Sequence, residues 1–198
     1  MKKGFFLIAM LLCSVNVHAL AMSYTGNFSN DDARFYTSFT VTQESTVNLT
    51  SWGYAGGTNG AGNVIADGGF DTQLFLFDSA GDLVEDDDDA SNVNSASSGN
   101  SWDALLSLIL DAGSYVAVLT QYNNDFESGD LFTGVWSGAG TSNFVDDDNN
   151  QRTSAYAFDI SGEFVSDVRA TTVPEPETLV LFALGLLGIG AAKRRKAS

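Results

Sequence analysis

The stretch TQLFLFD, residues 72–78, constrains the fold more than any other part of the chain. It is apolar on both faces, aromatic-rich and only seven residues long, which marks an inner strand. Alternation appears on either side of it. Phe35, Thr37, Phe39 and Val41 fall on one face of a strand, with Tyr36, Ser38 and Thr40 opposite. Val47 and Leu49 continue the pattern after a turn near Gln43-Glu44. ALLSLIL, residues 104–110, is again apolar, with a buried helix as its only rival. The turn Asp111-Ala112-Gly113-Ser114 follows, then SYVAVLTQY, so residues 104–122 are expected to form a hairpin. Tyr156, Phe158 and Ile160 alternate as a closing strand. Short strands between Gly/Asp/Asn/Ser turns predict an all-β sandwich.

The connections are long and compositionally simple. Residues 53–69 hold seven glycines, and residues 86–100 are dominated by Asp, Ser and Asn. Loops of this length in a compact domain are functional or mobile. Residues 22–173 contain no cysteine, lysine or histidine. Three arginines (Arg34, Arg152, Arg169) face 23 acidic side chains, for a net charge of about −20. Nucleic-acid binding needs the opposite sign and is excluded. Without His, Cys or Lys there is no Ser-His-Asp or Cys-His nucleophile, no Schiff base and no usual zinc or copper ligand set.

The two ends carry addresses. Lys2 and Lys3 precede an apolar stretch, Phe5 to Leu12, and Ala19-Leu20-Ala21 offers small residues where a signal peptidase reads. Cleavage after Ala21 is the first choice and cleavage after Ala19 the second. Leu12 before Cys13 argues against a lipoprotein. At the other end Pro174-Glu175-Pro176 precedes an apolar run, residues 179–192, and then Lys193-Arg194-Arg195-Lys196. Fourteen residues of helix reach about 21 Å, short of a hydrocarbon core of roughly 30 Å. Snorkelling flanks let such a helix sit in a bilayer, and the basic end holds it on the cytoplasmic side.

The order VPEPETLVLFALGLLGIGAAKRRKAS resembles the PEP-CTERM sorting signal of exopolysaccharide-producing Gram-negative bacteria. The resemblance implies cleavage near Pro-Glu-Pro by a membrane-embedded exosortase. NDDARFYTSFTV, SWGYAGG, GGFDTQLFLFDSAGDLVEDDDDA, WDALLSLILDAGSYVAVLTQYNND and YAFDISG also follow one another in that order. Together they resemble the β-sandwich domain common in PEP-CTERM proteins, itself similar to the pre-peptidase C-terminal domain. That likeness implies a jelly-roll-like sandwich with an accessory, non-catalytic role, in which acidic loop residues sometimes bind calcium.

The expected organisation is a signal peptide over residues 1–21, one β-sandwich over 22–168 and a sorting tail over 169–198. A signal helix and a C-terminal hydrophobic helix flank the sandwich. The Sec machinery, signal peptidase and exosortase are the expected processing partners. The expected route runs from an inner-membrane-tethered precursor to the cell surface or extracellular matrix. Two readings of the acidity are open: solvated loops whose mutual repulsion keeps an exported surface soluble, and binding of Ca²⁺, a hard cation that takes carboxylate and carbonyl oxygens. For Ca²⁺ the best stretch is residues 78–89, where Asp86, Asp87, Asp88 and Asp89 return after the turn at Gly81 and Asp71 can join. Asp71, Asp78, Asp86 and Asp88 are the candidate ligands, with Asp146-Asp147-Asp148-Asn149-Asn150 as a second stretch. Neither fits the EF-hand spacing. Trp52, Tyr54, Trp102, Tyr122 and Trp136 are candidates for stacking on sugar rings. The leading expectation is a non-enzymatic structural or glycan-interaction protein of exopolysaccharide or biofilm. A carboxylate-dependent glycan-active enzyme is the alternative, since glycoside hydrolysis needs only two acidic groups at the right separation.

Overall fold

The computed structural model describes residues 20–138 and 143–171. These residues form strands β1 (Leu20–Asn27), β2 (Phe35–Val41), β3 (Ser45–Ser51), β4 (Gly57–Thr58), β5 (Val64–Ile65), β6 (Thr72–Asp78) and β7 (Leu83–Asp87). Then come β8 (Leu105–Leu110), β9 (Gly113–Gln121), β10 (Phe126–Ser128), β11 (Val135–Trp136), β12 (Ala155–Gly162) and β13 (Val165–Thr171). Two antiparallel sheets face each other. One has the order β1-β12-β3-β8, the other β13-β2-β9-β6-β7. The all-β sandwich expected from the alternation is what the chain forms. Both helices expected at the ends lie outside the described residues, and no described helix is long and apolar enough to cross a membrane.

The core follows from the period-two pattern. Phe39, Val41, Val47, Leu49, Leu74, Leu76, Leu119, Phe158 and Ile160 turn inward and are essentially buried. Each such side chain contributes about 1.5–3 kcal/mol through removal of apolar area from water. β6 is apolar on both faces because both are covered. Leu74 and Leu76 point into the core, while Phe75 and Phe77 meet Tyr36, Val116, Val118 and Leu131 in a second cluster outside the five-stranded sheet. That outer cluster is roofed by the excursion carrying β10 and β11, which contributes Phe126, Phe132 and Trp136.

One connection departs from the sequence expectation. Residues 104–122 do not form a hairpin: β8 pairs with β3 in one sheet, and β9 with β2 and β6 in the other. The Asp111 turn therefore carries the chain between the two sheets. β8 is an edge strand, with Ile109 exposed, and not an inner one. Local alternation is the same for a hairpin and for two strands on opposite sheets, so the period alone does not separate them. β12 likewise does not close the fold. It lies between β1 and β3, and β13 follows it.

Strand residues extend past both expected domain boundaries. Arg169, Ala170 and Thr171 pair with β2 as part of β13. At the other end Ala21 pairs with Ser161 and Leu20 with Gly162, so cleavage after Ala19 leaves β1 whole while cleavage after Ala21 removes these two pairs. Ala19 itself, with the rest of residues 1–19, lies outside the described residues.

The two ends of the sandwich differ. At one, short turns join β2 to β3, β6 to β7, β8 to β9 and β12 to β13. At the other, the long loops of residues 52–71, 88–104 and 122–154 gather. Long loops on a rigid scaffold are where binding groups are usually displayed.

Candidate metal centre

At the long-loop end the hairpin of β6 and β7 opens. Asp71 immediately precedes β6, and Asp88 and Asp89 follow β7. The ladder runs from Phe77↔Leu83 to Leu74↔Asp87, and its continuation brings these three carboxylates together. One oxygen from each lies within 4.8 Å of the others. Two oxygens bound to one Ca²⁺ at 2.3–2.6 Å stand at most about 5 Å apart, so this spacing is within the reach of a single ion.

Asp71 is the unusual member. It is 5% exposed, and its Oδ1 is buried without a hydrogen-bond partner. Asp88 Oδ1 is likewise buried and unpartnered. Burial first, then the charges of Asp88, Asp89, Asp146 and Asp103, push the Asp71 carboxyl up to about 9. Burial and the neighbouring Asp89, Asp125 and Asp87 push Asp88 up to about 6, against a hydrogen bond from Gln73 that lowers it. Asp89 is raised too, by burial and Asp87. Three carboxyls facing one another without an arginine or a lysine cannot all ionise cheaply. A bound divalent cation supplies the missing positive charge.

The four ligands expected from sequence are not assembled in one place. Asp71 and Asp88 meet. Asp78 stands at the far end of β6, seven residues and roughly 23 Å along the strand. Its Oδ1 accepts hydrogen bonds from the Ala80 and Asp82 N–H groups at 2.8 and 3.0 Å, which cap the turn. Gly81, with φ of +91°, completes that turn. Asp86 is exposed on β7 opposite Phe75, outside the group of three. Asp89 lies in the acidic stretch singled out from sequence but is not one of the four ligands named there. Choosing alternate aspartates presumes a continuing strand, but β7 ends at Asp87 and the chain bends, so adjacent residues turn toward the same point.

The second acidic stretch is occupied by hydrogen bonds from its own loop and from the two loops beside it. Asp146 Oδ1 accepts from the Asn150 N–H at 2.7 Å, and its Oδ2 accepts from the Tyr54 hydroxyl at 3.1 Å. Asp148 accepts from the Asn100 amide at 2.7 Å.

Around these residues the loops are held by saturated polar groups. Asp103, 1% exposed, accepts from the Tyr54 N–H, the Ala55 N–H and the Ser51 hydroxyl at 2.8–3.0 Å. Buried Arg152 donates to the carbonyls of Gly69 and Tyr54, pairs with Asp67 at 3.2 Å and stacks 3.9 Å over the Tyr54 ring. Burial works against ionised Asp67. The Ser97 N–H, the Ser95 and Ser97 hydroxyls and Arg152 outweigh it and hold the carboxyl below its ordinary value. The glycine-rich loop threads between these anchors. At Gly56, with φ of +71°, a Cβ would collide with the backbone at Ile65 and Asp67.

The aromatic candidates are dispersed and form no common face. Tyr54 is fully buried and tilts against Trp102. Trp52 donates its Nε1–H to Asp159 at 2.7 Å. Trp136 packs on Phe75 and Phe126, with the Arg34 guanidinium 4.5 Å from its ring centre. Tyr122 leans toward Asp147.

Residues 172–196 match the PEP-CTERM protein-sorting motif. The chain therefore carries this motif directly after β13, and it spans Pro174, Glu175, Pro176 and the basic Lys193, Arg194, Arg195 and Lys196. Such a motif implies export and processing of a membrane-anchored precursor, with an exosortase as the processing partner. No curated protein matches the chain. The match is confined to the tail, so kinship of the sandwich with the pre-peptidase C-terminal type rests on sequence resemblance alone.

Proposed function

We propose that this chain, addressed by its PEP-CTERM motif, works after processing as a non-catalytic structural or glycan-interaction module of a Gram-negative cell surface or extracellular matrix. Its long-loop end is closed by one Ca²⁺ held by Asp71, Asp88 and Asp89. The single observation that carries the cation reading is the buried, unpartnered Oδ1 of Asp71, in a carboxylate grouped with two others. A carboxylate left in that state costs free energy, and a cation removes the cost. The same burial argues against glycan hydrolysis at this site, because a 5% exposed side chain offers a glycosidic bond no approach. The acidic surface, about −20 over residues 22–173, suits an exported protein that must stay soluble.

Thermal melts of the processed protein in EDTA, millimolar Ca²⁺ and millimolar Mg²⁺ test the cation. Ca²⁺ is expected to raise Tm and Mg²⁺ to raise it less. At a concentration of 100 times Kd the stabilisation is about 2.7 kcal/mol. No shift in Ca²⁺ overturns the site. Mass spectrometry of the protein recovered outside the cell tests the route, with cuts expected near Ala19 or Ala21 and near Pro174-Glu175-Pro176. Turnover of a polysaccharide that a single Asp→Asn change abolishes would replace this function with an enzymatic one.

A further inference from the structure

Away from the acidic loops, the outer face of the five-stranded sheet carries a groove of about 200 Å³ at the short-turn end. Where the roof of β10 and β11 stops, the sheet face is bare and polar. Arg169 of β13 stands opposite Ser38 of β2, which stands opposite Val116 of β9, in one row across the sheet. Thr40 and Ser114 form the next row of the same face. Leu131 and half-buried Phe132 make one wall, and Asp167 with Arg169 make the other.

Asp78 and Tyr115 in the lining are already hydrogen-bonded, to the turn after β6 and to the Asp111 carbonyl, but the groove's other polar side chains are open. Among the described residues, the hydroxyls of Ser38, Thr40 and Ser114 have no side-chain hydrogen bond. The Arg169 guanidinium has neither a hydrogen bond nor an ion pair, although the domain is crowded with carboxylates. The Asp167 backbone is in the left-handed region, φ of +52°, at the irregularity where β13 shifts register between Ser166 and Arg169. Asp167 and Arg169, on either side of that irregularity, both line the groove.

We infer that this groove binds a neutral hexose ring of a polysaccharide. The inference deepens the glycan reading above and rests on it. A sugar ring has an apolar C–H face, which suits the aromatic wall of Phe132, and a rim of hydroxyls that both donate and accept. Ser38, Thr40 and Ser114 do both, Arg169 donates and Asp167 accepts, so the groove complements the rim in both senses. The volume lies below that of a drug-sized pocket and suits a single ring. Charge selects against acidic sugars. Asp78 and Asp167 outnumber Arg169 in the lining, and the domain as a whole repels anions.

The test uses the processed protein with methyl glycosides of glucose, galactose and mannose, and methyl glucuronide as the acidic probe. Saturation-transfer NMR is expected to show contact with at least one neutral hexoside and weaker contact with the glucuronide. Arg169→Ala and Phe132→Ala are each expected to lower the affinity at least tenfold. Arg169 has no side-chain partner to lose among the described residues, so its variant keeps the wild-type melting temperature, and a melt of the Phe132 variant checks its fold. Retention on immobilised neutral polysaccharide separates the two levels of the claim. Retention that both variants share with wild type overturns the groove and leaves the glycan reading standing. Loss of both retention and hexoside contact in wild type overturns both. Preference for the glucuronide overturns the charge argument and with it the assignment.

Discussion

Asp103 and Asp71 are both nearly buried aspartates at the long-loop end of the sandwich, and they are treated in opposite ways. Asp103 receives three hydrogen bonds, two of them from the backbone of the glycine-rich loop. Asp71 Oδ1 receives none, and the carboxylate stands beside two more. Burial raises both carboxyls, but for Asp103 the donors of Ala55, Tyr54 and Ser51 pull it back, whereas for Asp71 the neighbouring charges push it further. A carboxylate whose lone pairs are filled by its own chain is a fastener. One whose lone pairs are left open in a buried place is fitted for a ligand from outside.

The difference can be broken at either residue. The largest effect is expected at Asp103: Asp103→Ala leaves the Tyr54 and Ala55 backbone N–H groups unpaired in the interior. The loss is roughly 3 kcal/mol or more by chemical denaturation, and it is the same in EDTA and in Ca²⁺. Next is Asp71→Asn, which has the opposite sign. The amide removes a carboxylate that resists ionisation, so stability in EDTA at neutral pH rises by at least about 2 kcal/mol, each pKa unit being worth about 1.4 kcal/mol. The same change should abolish the Ca²⁺ shift. Destabilisation of Asp71→Asn in EDTA would remove the contrast.

The pH dependence of wild type sharpens the comparison. The folded Asp71 carboxyl, about 9, lies above its unfolded value of 3.8, so the folded state holds the extra proton between them. Stability in EDTA is therefore greatest on the acid side of that window. It falls as pH rises toward 9, by up to about 1.4 kcal/mol per pH unit. Asp88, pushed to about 6, adds to the fall only below that pH. Saturating Ca²⁺ should flatten the profile. A Tm flat from pH 5 to 9 in EDTA would contradict the burial assigned to Asp71. The smallest effect is expected at Asp78→Ala, which loses a turn cap worth about 1 kcal/mol and leaves the Ca²⁺ response unchanged.

Much of the architecture is legible in the alternation of the sequence. Phe39 and Val41, Val47 and Leu49, and Phe158 and Ile160 all point inward as their period requires. What alternation does not carry is partnership. The Asp111 turn looks like a hairpin turn, yet it links two sheets, because choosing between a hairpin and a crossover depends on where β2 and β3 already lie. The site was half legible for the same reason. Asp71 and Asp88 flank a strand and its neighbour, and hairpin pairing brings them together. Asp78 has the same composition around it but sits at the wrong end of β6, a matter of strand direction. Asp89 joins the group only because the chain bends after Asp87. The outer groove left no trace in the sequence, since Arg169, Ser38 and Ser114 come from three distant segments and meet only through register.

β13 is the last strand among the described residues and lies at the edge of its sheet, paired with β2 alone, and it ends one residue before the matched motif. Any pull on the C-terminal end therefore enters the molecule through this single strand. Drawn along its axis, the ladder from Val165↔Val41 to Thr171↔Tyr36 is loaded in shear and its bonds share the force. Drawn outward, it opens from Thr171 one bond at a time, and the irregularity around Asp167 interrupts the ladder before the inner pairs are reached. The mechanical strength of the attachment is thus set by the direction of pull, with the bulk of the sandwich acting as a rigid body behind one replaceable seam.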